Sequence, residues 1–232
     1  DRHPPTMAKM RRELLQRMEQ IRFTQFLFFR QWADLRAYAN SKDIKLFGDM
    51  PIFVAHDSAE VWANRDWFFL DAEGHPDVVA GVPTDYFSET GQRWGNPLYR
   101  WDRMRADQFT FWVRRIRTQL ECFDLVRIDH FRGFEAYWEI PGDEESAVNG
   151  DWVKAPGVDL FHRLFNTFDE LPLVAEDLGI ITAEVEELRD RFGLPGMKIL
   201  QFAFSNEPDN PYLPANHIKN CVVYTGTHDN DT

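Results

Sequence analysis

The chain of 232 residues is long enough for one large domain or two small ones, and 44% hydrophobic with 28% charged residues excludes a disordered or fibrous chain. A formal net charge of −12 argues against a binder that tracks nucleic-acid phosphates and against an anionic membrane surface, whereas a neutral sugar is indifferent to it. No apolar run approaches the roughly 20 residues needed to cross a bilayer, no secretory leader is visible, and the expectation is a cytoplasmic protein. The chain does not begin with Met, so its true N-terminus stays open.

Taken in chain order, Ile21, Phe28, Trp32, Leu35 and Ala39 fall on one face of a helix. Residues 45–54 read as a strand whose ladder ends near Pro51. Asp57 with Glu60 three residues on resembles a capping box. Phe109, Trp112, Val113, Ile116 and Leu120 mark a second helix, and a compact strand follows from Asp124 to Asp129. Leu160, Phe161, Leu164, Phe165 and Phe168 give another helical stripe, before a strand from Leu173 to Glu176. Thr182 is placed to cap a helix burying Val185, Leu188 and Phe192. Residues 197–204 and 221–225 complete the strands. The two cysteines, Cys122 and Cys221, are far apart beside apolar runs and read as buried reduced thiols.

Alternating strands and helices predict an α/β fold with parallel strands. Three strands run into an acidic residue at or just beyond their ends, namely Asp129, Glu176 and Asp229, and a fourth carries Asp49 part-way along. In a (β/α)8 TIM barrel, catalytic residues gather from the C-terminal ends of several strands. A doubly wound sheet binds there too, but no glycine-rich phosphate turn follows any strand. Only five barrel-type strands are legible, so the expectation is one incomplete barrel domain over residues 1–232, about strands 3 to 7, with long loop insertions at about 55–101 and 133–157.

Cleavage of a glycosidic bond with retention needs two carboxyl groups roughly 5–5.5 Å apart, one as nucleophile and one as acid/base. Arg127-Ile128-Asp129 and Ala175-Glu176-Asp177 end consecutive strands and supply such a pair, although acidic residues at strand ends also cap loops. Arg127, two residues before Asp129, shares its strand face and favours an ionised carboxylate. Glu176 needs the opposite, a raised pKa for proton donation.

The run Arg127-Ile128-Asp129-His130-Phe131-Arg132-Gly133-Phe134 resembles the nucleophile motif of the amylomaltases, the 4-α-glucanotransferases of glycoside hydrolase family 77. Ala175-Glu176-Asp177-Leu178-Gly179 is similar to that family's acid/base motif, and Thr227-His228-Asp229-Asn230-Asp231-Thr232 to its third motif, whose first Asp stabilises the transition state. Gly48-Asp49-Met50-Pro51-Ile52-Phe53-Val54 matches a fourth segment. Residues 81–97 resemble a family loop that reaches over the active site, with Thr84 standing where a second proline is expected.

The resemblance implies a retaining 4-α-glucanotransferase acting on maltooligosaccharides or other α-glucans. Asp129 would be nucleophile, Glu176 acid/base and Asp229 the transition-state stabiliser, with Arg127 and His228 in support. Asp85, Phe87, Ser88, Gln92 and Trp94 of the loop would contact sugar; for Phe87 and Trp94 the competing reading is a buried anchor. Asp49 reads as architectural, positioning an arginine. The residues alone leave open whether water or a sugar accepts the glucosyl group, so an α-amylase-type hydrolase and a non-catalytic glucan-binding module stay as alternatives. His228-Asp229-Asn230-Asp231 superficially resembles the start of a calcium loop, whose glycine and distal glutamate are not available in this sequence; the expectation is neither metal nor organic cofactor. Oligomeric state is not legible.

Overall fold

The computed structural model describes residues 2–84, 88–205 and 207–228. Helices α1 (Pro4–Glu13) and α2 (Leu15–Asn40) lead into strand β1 (Phe47–Pro51) and the short helix α3 (Ala59–Ala63). Strands β2 (Val78–Val82) and β3 (Gln92–Pro97) precede helices α4 (Trp101–Ala106) and α5 (Thr110–Cys122). After β4 (Leu125–Asp129) come β5 (Ala136–Pro141) and β6 (Asp151–Lys154), then α6 (Gly157–Phe165) and β7 (Leu173–Ala175). Helix α7 (Ala183–Arg191) and strands β8 (Gly196–Ile199) and β9 (Cys221–Tyr224) follow. Among the described residues no helix is long and apolar enough to cross a membrane.

Strands β1, β4 and β7 form a parallel sheet in that order, and β8 pairs with β9, also in parallel. The Ala175 N–H donates to the Pro195 carbonyl at 2.8 Å and brings the two ladders side by side. These five strands correspond to the five legible in the sequence. They form an open arc and not a closed barrel, yet the arc curls enough for Asp49 of β1 and Tyr224 of β9 to line one cavity.

Alternation along β4 explains how the arc presents chemistry. Val126 and Ile128 are buried in the hydrophobic core with Trp112 and Ile116 of α5, and Leu160 and Phe161 of α6. Full burial of an aliphatic side chain of this kind contributes about 1.5–3 kcal/mol. Arg127 and Asp129 consequently point to the opposite face. Gly48 in β1 is required by close approach, since a Cβ there would overlap the Phe123 ring. Aromatic rings pack densely in the core, where Trp101 stacks on Trp112 at 6.0 Å and Trp112 meets Phe134 edge-on at 5.0 Å.

Several expectations are corrected. The stretches 55–101 and 133–157 are not simply loops: β2, β3, β5 and β6 build a four-stranded antiparallel sheet in the order β3-β2-β5-β6. The cap of α3 is Ser58, whose hydroxyl accepts from the Val61 N–H at 3.3 Å, and not Asp57. Phe109 is left-handed and precedes α5. The strand expected over 197–204 stops at Ile199 and passes into a 3-10 turn.

On α2 only Ala39 of the expected stripe is buried, while Ile21, Phe28 and Leu35 are about half exposed. The helix holds on through its C-terminal half. Trp32 Nε1 donates to the Cys122 carbonyl at 2.8 Å, and Arg36 donates to Asp124 Oδ1 through Nε and Nη2 at 3.0 and 2.8 Å. At about 1.5 Å per residue the 26 residues of α2 extend twice as far as the 13 of α5, so its first turns project past that neighbour.

Candidate active site

The parallel register sets the first half of the site. Asp49 lies opposite Arg127 on neighbouring strands, and Arg127 donates from Nε to Asp49 Oδ1 at 2.8 Å and from Nη2 to Asp49 Oδ2 at 2.7 Å. The same Nη2 donates to Asp129 Oδ1 at 3.0 Å. Burial pulls the guanidinium pKa down, but hydrogen bonding to Asp49 and the charges of Asp129, Asp49 and Glu176 lift it above the ordinary arginine value. A permanent positive charge therefore sits against a half-exposed Asp129 carboxylate, the environment an attacking carboxylate needs.

The second half comes from the turn after β7. Ile128 pairs with Ala175, so the next residues, Asp129 and Glu176, lie side by side on strands about 4.8 Å apart. The ladder ends one residue before Glu176, whose own N–H still donates to the Ile128 carbonyl at 3.0 Å. Glu176 Oε2 accepts from the His130 N–H at 2.7 Å, and Oε1 from the Leu178 N–H at 3.0 Å. Burial, followed by the Asp129 charge, pushes its pKa up to about 7, against the opposing pull of the two N–H donors and Arg127. Asp177, the next residue, turns into the protein: Oδ1 accepts from the Met197 N–H at 2.7 Å, and Oδ2 accepts from Arg189 Nη1. That pair locks the turn carrying Glu176 onto β8 and α7.

These carboxyl groups share a cavity of about 610 Å³. Gln92 and Trp94 of β3 line it, with Trp94 Nε1 donating to Gln92 Oε1 at 3.1 Å. Trp94 is 39% exposed, so it is not a closed-core anchor. Ser88 donates from its hydroxyl to the Gly91 carbonyl at 2.8 Å, within its own loop. Arg127 and Thr227 also line a second cavity of about 340 Å³, together with Asp49, Tyr224 and His228. Asp85, Phe87 and Asp229 lie outside the described residues. Among the described residues no group of three or more His, Cys, Asp or Glu is arranged to hold a metal.

Some contributors are not singled out by sequence reasoning. Arg132, 6% exposed, donates from Nη1 to the Ile180 carbonyl and stacks over the Trp152 ring at 3.7 Å. It thereby links the turn after β4, the loop after Glu176 and β6. His130 takes a left-handed conformation, φ 54° and ψ 50°, and burial, reinforced by the Arg132 charge, drives its imidazole down to about 3, so the ring is neutral. No spacing or periodicity announces either contact. Asp177 was visible inside its motif, but its burial was not.

The 4-alpha-glucanotransferase model of glycoside hydrolase family 77 matches residues 1–232. A 4-alpha-glucanotransferase from Thermus thermophilus is 66% identical over 212 residues, covering 90% of this chain and 42% of the relative. One from Clostridium butyricum is 50% identical over 227 residues, covering 97% and 47%. Among solved structures, the amylomaltase from Streptococcus agalactiae in complex with acarbose superposes with a TM-score of 0.96 at 43% identity, over 99% of this chain and 46% of that one. The chain thus spans under half the length of the relatives it matches. Its mixed α/β fold is the one seen in the Streptococcus amylomaltase. Matched along its whole length, the chain belongs to the 4-alpha-glucanotransferase family, glycoside hydrolase family 77.

Proposed function

We propose that the protein carrying this chain is a retaining 4-α-glucanotransferase that moves α-1,4-glucan segments between maltooligosaccharides. One observation carries the reading: two carboxyl groups at the ends of adjacent parallel strands share a cavity, one against Arg127, the other buried with a pKa near 7. Asp129 attacks the anomeric carbon while Glu176 gives its proton to the departing glycosidic oxygen, leaving a covalent glucosyl-enzyme. Glu176, now a base, takes the proton of the incoming sugar hydroxyl as that oxygen displaces Asp129. Asp229 holds hydroxyls of the distorted ring through bonds that strengthen with oxocarbenium character, and His228 assists. Arg127 orients Asp129, while Asp49 holds Arg127 from the other side.

Acceptor control is assigned to the segment 81–97, with Asp85, Phe87, Ser88, Gln92 and Trp94 as sugar contacts. Support comes from Gln92 and Trp94, which line the cavity between an indole face and polar groups. The five-stranded arc is read as part of a (β/α)8 barrel, because Asp129 ends β4 and Glu176 directly follows β7. A cytoplasmic setting belongs to the same reading, although a 4-alpha-glucanotransferase relative from Solanum tuberosum is chloroplastic or amyloplastic.

Incubation of the full-length protein with maltotriose tests the reading. Transfer yields glucose together with oligomers longer than maltotriose. Shorter products alone would make the enzyme an α-amylase-type hydrolase. Turnover that survives Asp129→Asn would overturn the assignment of the nucleophile.

A further inference from the structure

Four non-glycine residues among those described have positive φ, and of these His130 alone lines the sugar-sized cavity. The left-handed region is unfavourable for a residue with a Cβ, so something must hold the backbone there. The surroundings of His130 supply it. Its N–H donates to Glu176 Oε2 at 2.7 Å, the Phe131 N–H donates to the Glu176 carbonyl at 3.1 Å, and the Gly133 N–H donates back to the His130 carbonyl at 3.0 Å. Its ring meets Trp94 edge-on at 4.8 Å and lies 6.4 Å from Phe53. Ring Nε2 is buried and has no hydrogen-bond partner among the described residues. A buried polar atom without a partner carries a penalty, so the protein gains from the position of the ring and backbone rather than from a bond at that nitrogen.

We propose that His130 is a positioning residue for the acid/base: its left-handed turn aims its own N–H at Glu176 Oε2, and its ring, lodged against Trp94, ties that aim to the strand lining the sugar cavity. The inference rests on the reading of Glu176 as acid/base. A donated N–H stabilises the carboxylate form and so keeps the carboxyl acidic enough to release its proton. The other donor is the Leu178 N–H. The charged and titratable groups around Glu176 are Asp129 and Arg127 from β4, Tyr212 from the segment after β8, and Asp177 from its own turn. Arg132 lines the same cavity from the turn after β4. None of these is altered by substitution at 130. With the aim lost, Glu176 holds its proton more tightly, and the alkaline limb of the rate profile moves to higher pH while proton donation slows.

The test is the pH dependence of kcat and of kcat/KM for maltotriose disproportionation by the full-length protein, compared among His130→Ala, His130→Asn and His130→Gly. In His130→Ala we expect the alkaline limb to rise by about half a unit or more and kcat to fall at least about tenfold. Asparagine tolerates the left-handed region but lacks the ring that packs on Trp94, so His130→Asn should show a smaller rise than alanine, in the same direction. His130→Gly adopts that backbone without strain but lacks the ring, so it should fold even if the alanine variant does not, with a limb shifted in the same direction. If all three variants raise KM and leave both limbs where they were, His130 is a sugar contact and the positioning role is wrong. Full transfer by Glu176→Gln would instead mean that the acid/base reading itself had failed.

Discussion

Arg127 holds Asp49 with two nitrogens, at 2.8 and 2.7 Å, and shares one of them with Asp129 at 3.0 Å. Asp49 is therefore linked to Asp129 through the arginine it orients. Its strand register opposite Arg127 makes that geometry a property of the sheet and not of a loop.

Asp49→Ala should leave Arg127 free to swing away from Asp129. Charge-assisted hydrogen bonds of this kind are worth about 1.5–3 kcal/mol, so kcat should fall roughly 10- to 100-fold with KM changed much less. Asp49→Asn keeps an acceptor oxygen and should lose less. Steady-state kinetics on maltotriose separates the two, and a rise in KM with kcat intact would instead make Asp49 a direct sugar contact.

Glu176 should set the alkaline limb of activity at about pH 7, since the proton it must donate is lost as pH rises through that value. The same shift has a stability sign. The folded-state value lies above the ordinary 4.5, so the folded protein binds this proton more tightly than the unfolded chain. Its contribution is fully present below about pH 4.5 and is lost as pH rises through about 7. Urea midpoints measured across that window should decline in the parent and decline less in Glu176→Gln.

Asp177 and Arg189 form an ion pair with side chains only 1% and 5% exposed. Removing one partner strands the other as a buried charge, at a cost of about 3–5 kcal/mol. Arg189→Met should lower the denaturation midpoint accordingly. Because Asp177 also accepts from the Met197 N–H and follows Glu176 directly, residual activity in the folded fraction should drop too. A variant as stable as the parent would show that the pair does not anchor the turn.

The sequence by itself singled out the candidate carboxyl residues and located the five parallel strands. Alternation in Leu125–Asp129 puts Arg127 and Asp129 on one face whatever surrounds them, because side chains in a strand have a period of two. Helical periodicity likewise located α5 and α6, where Trp112, Ile116, Leu160, Phe161 and Leu164 are buried while Phe165 of the expected stripe is exposed. Periodicity reports the face of one element and says nothing about what covers it, which is why the stripe on α2 was legible and its exposure was not. Only the tertiary structure decided the antiparallel sheet, since β2 pairs with β5 through contacts between residues about 60 positions apart, which leave no local signal. It also decided the environments that divide the two carboxyl groups. Burial of Glu176, the inward turn of Asp177 and the left-handed backbone of His130 arise where several strands meet, and each depends on groups far away in the chain.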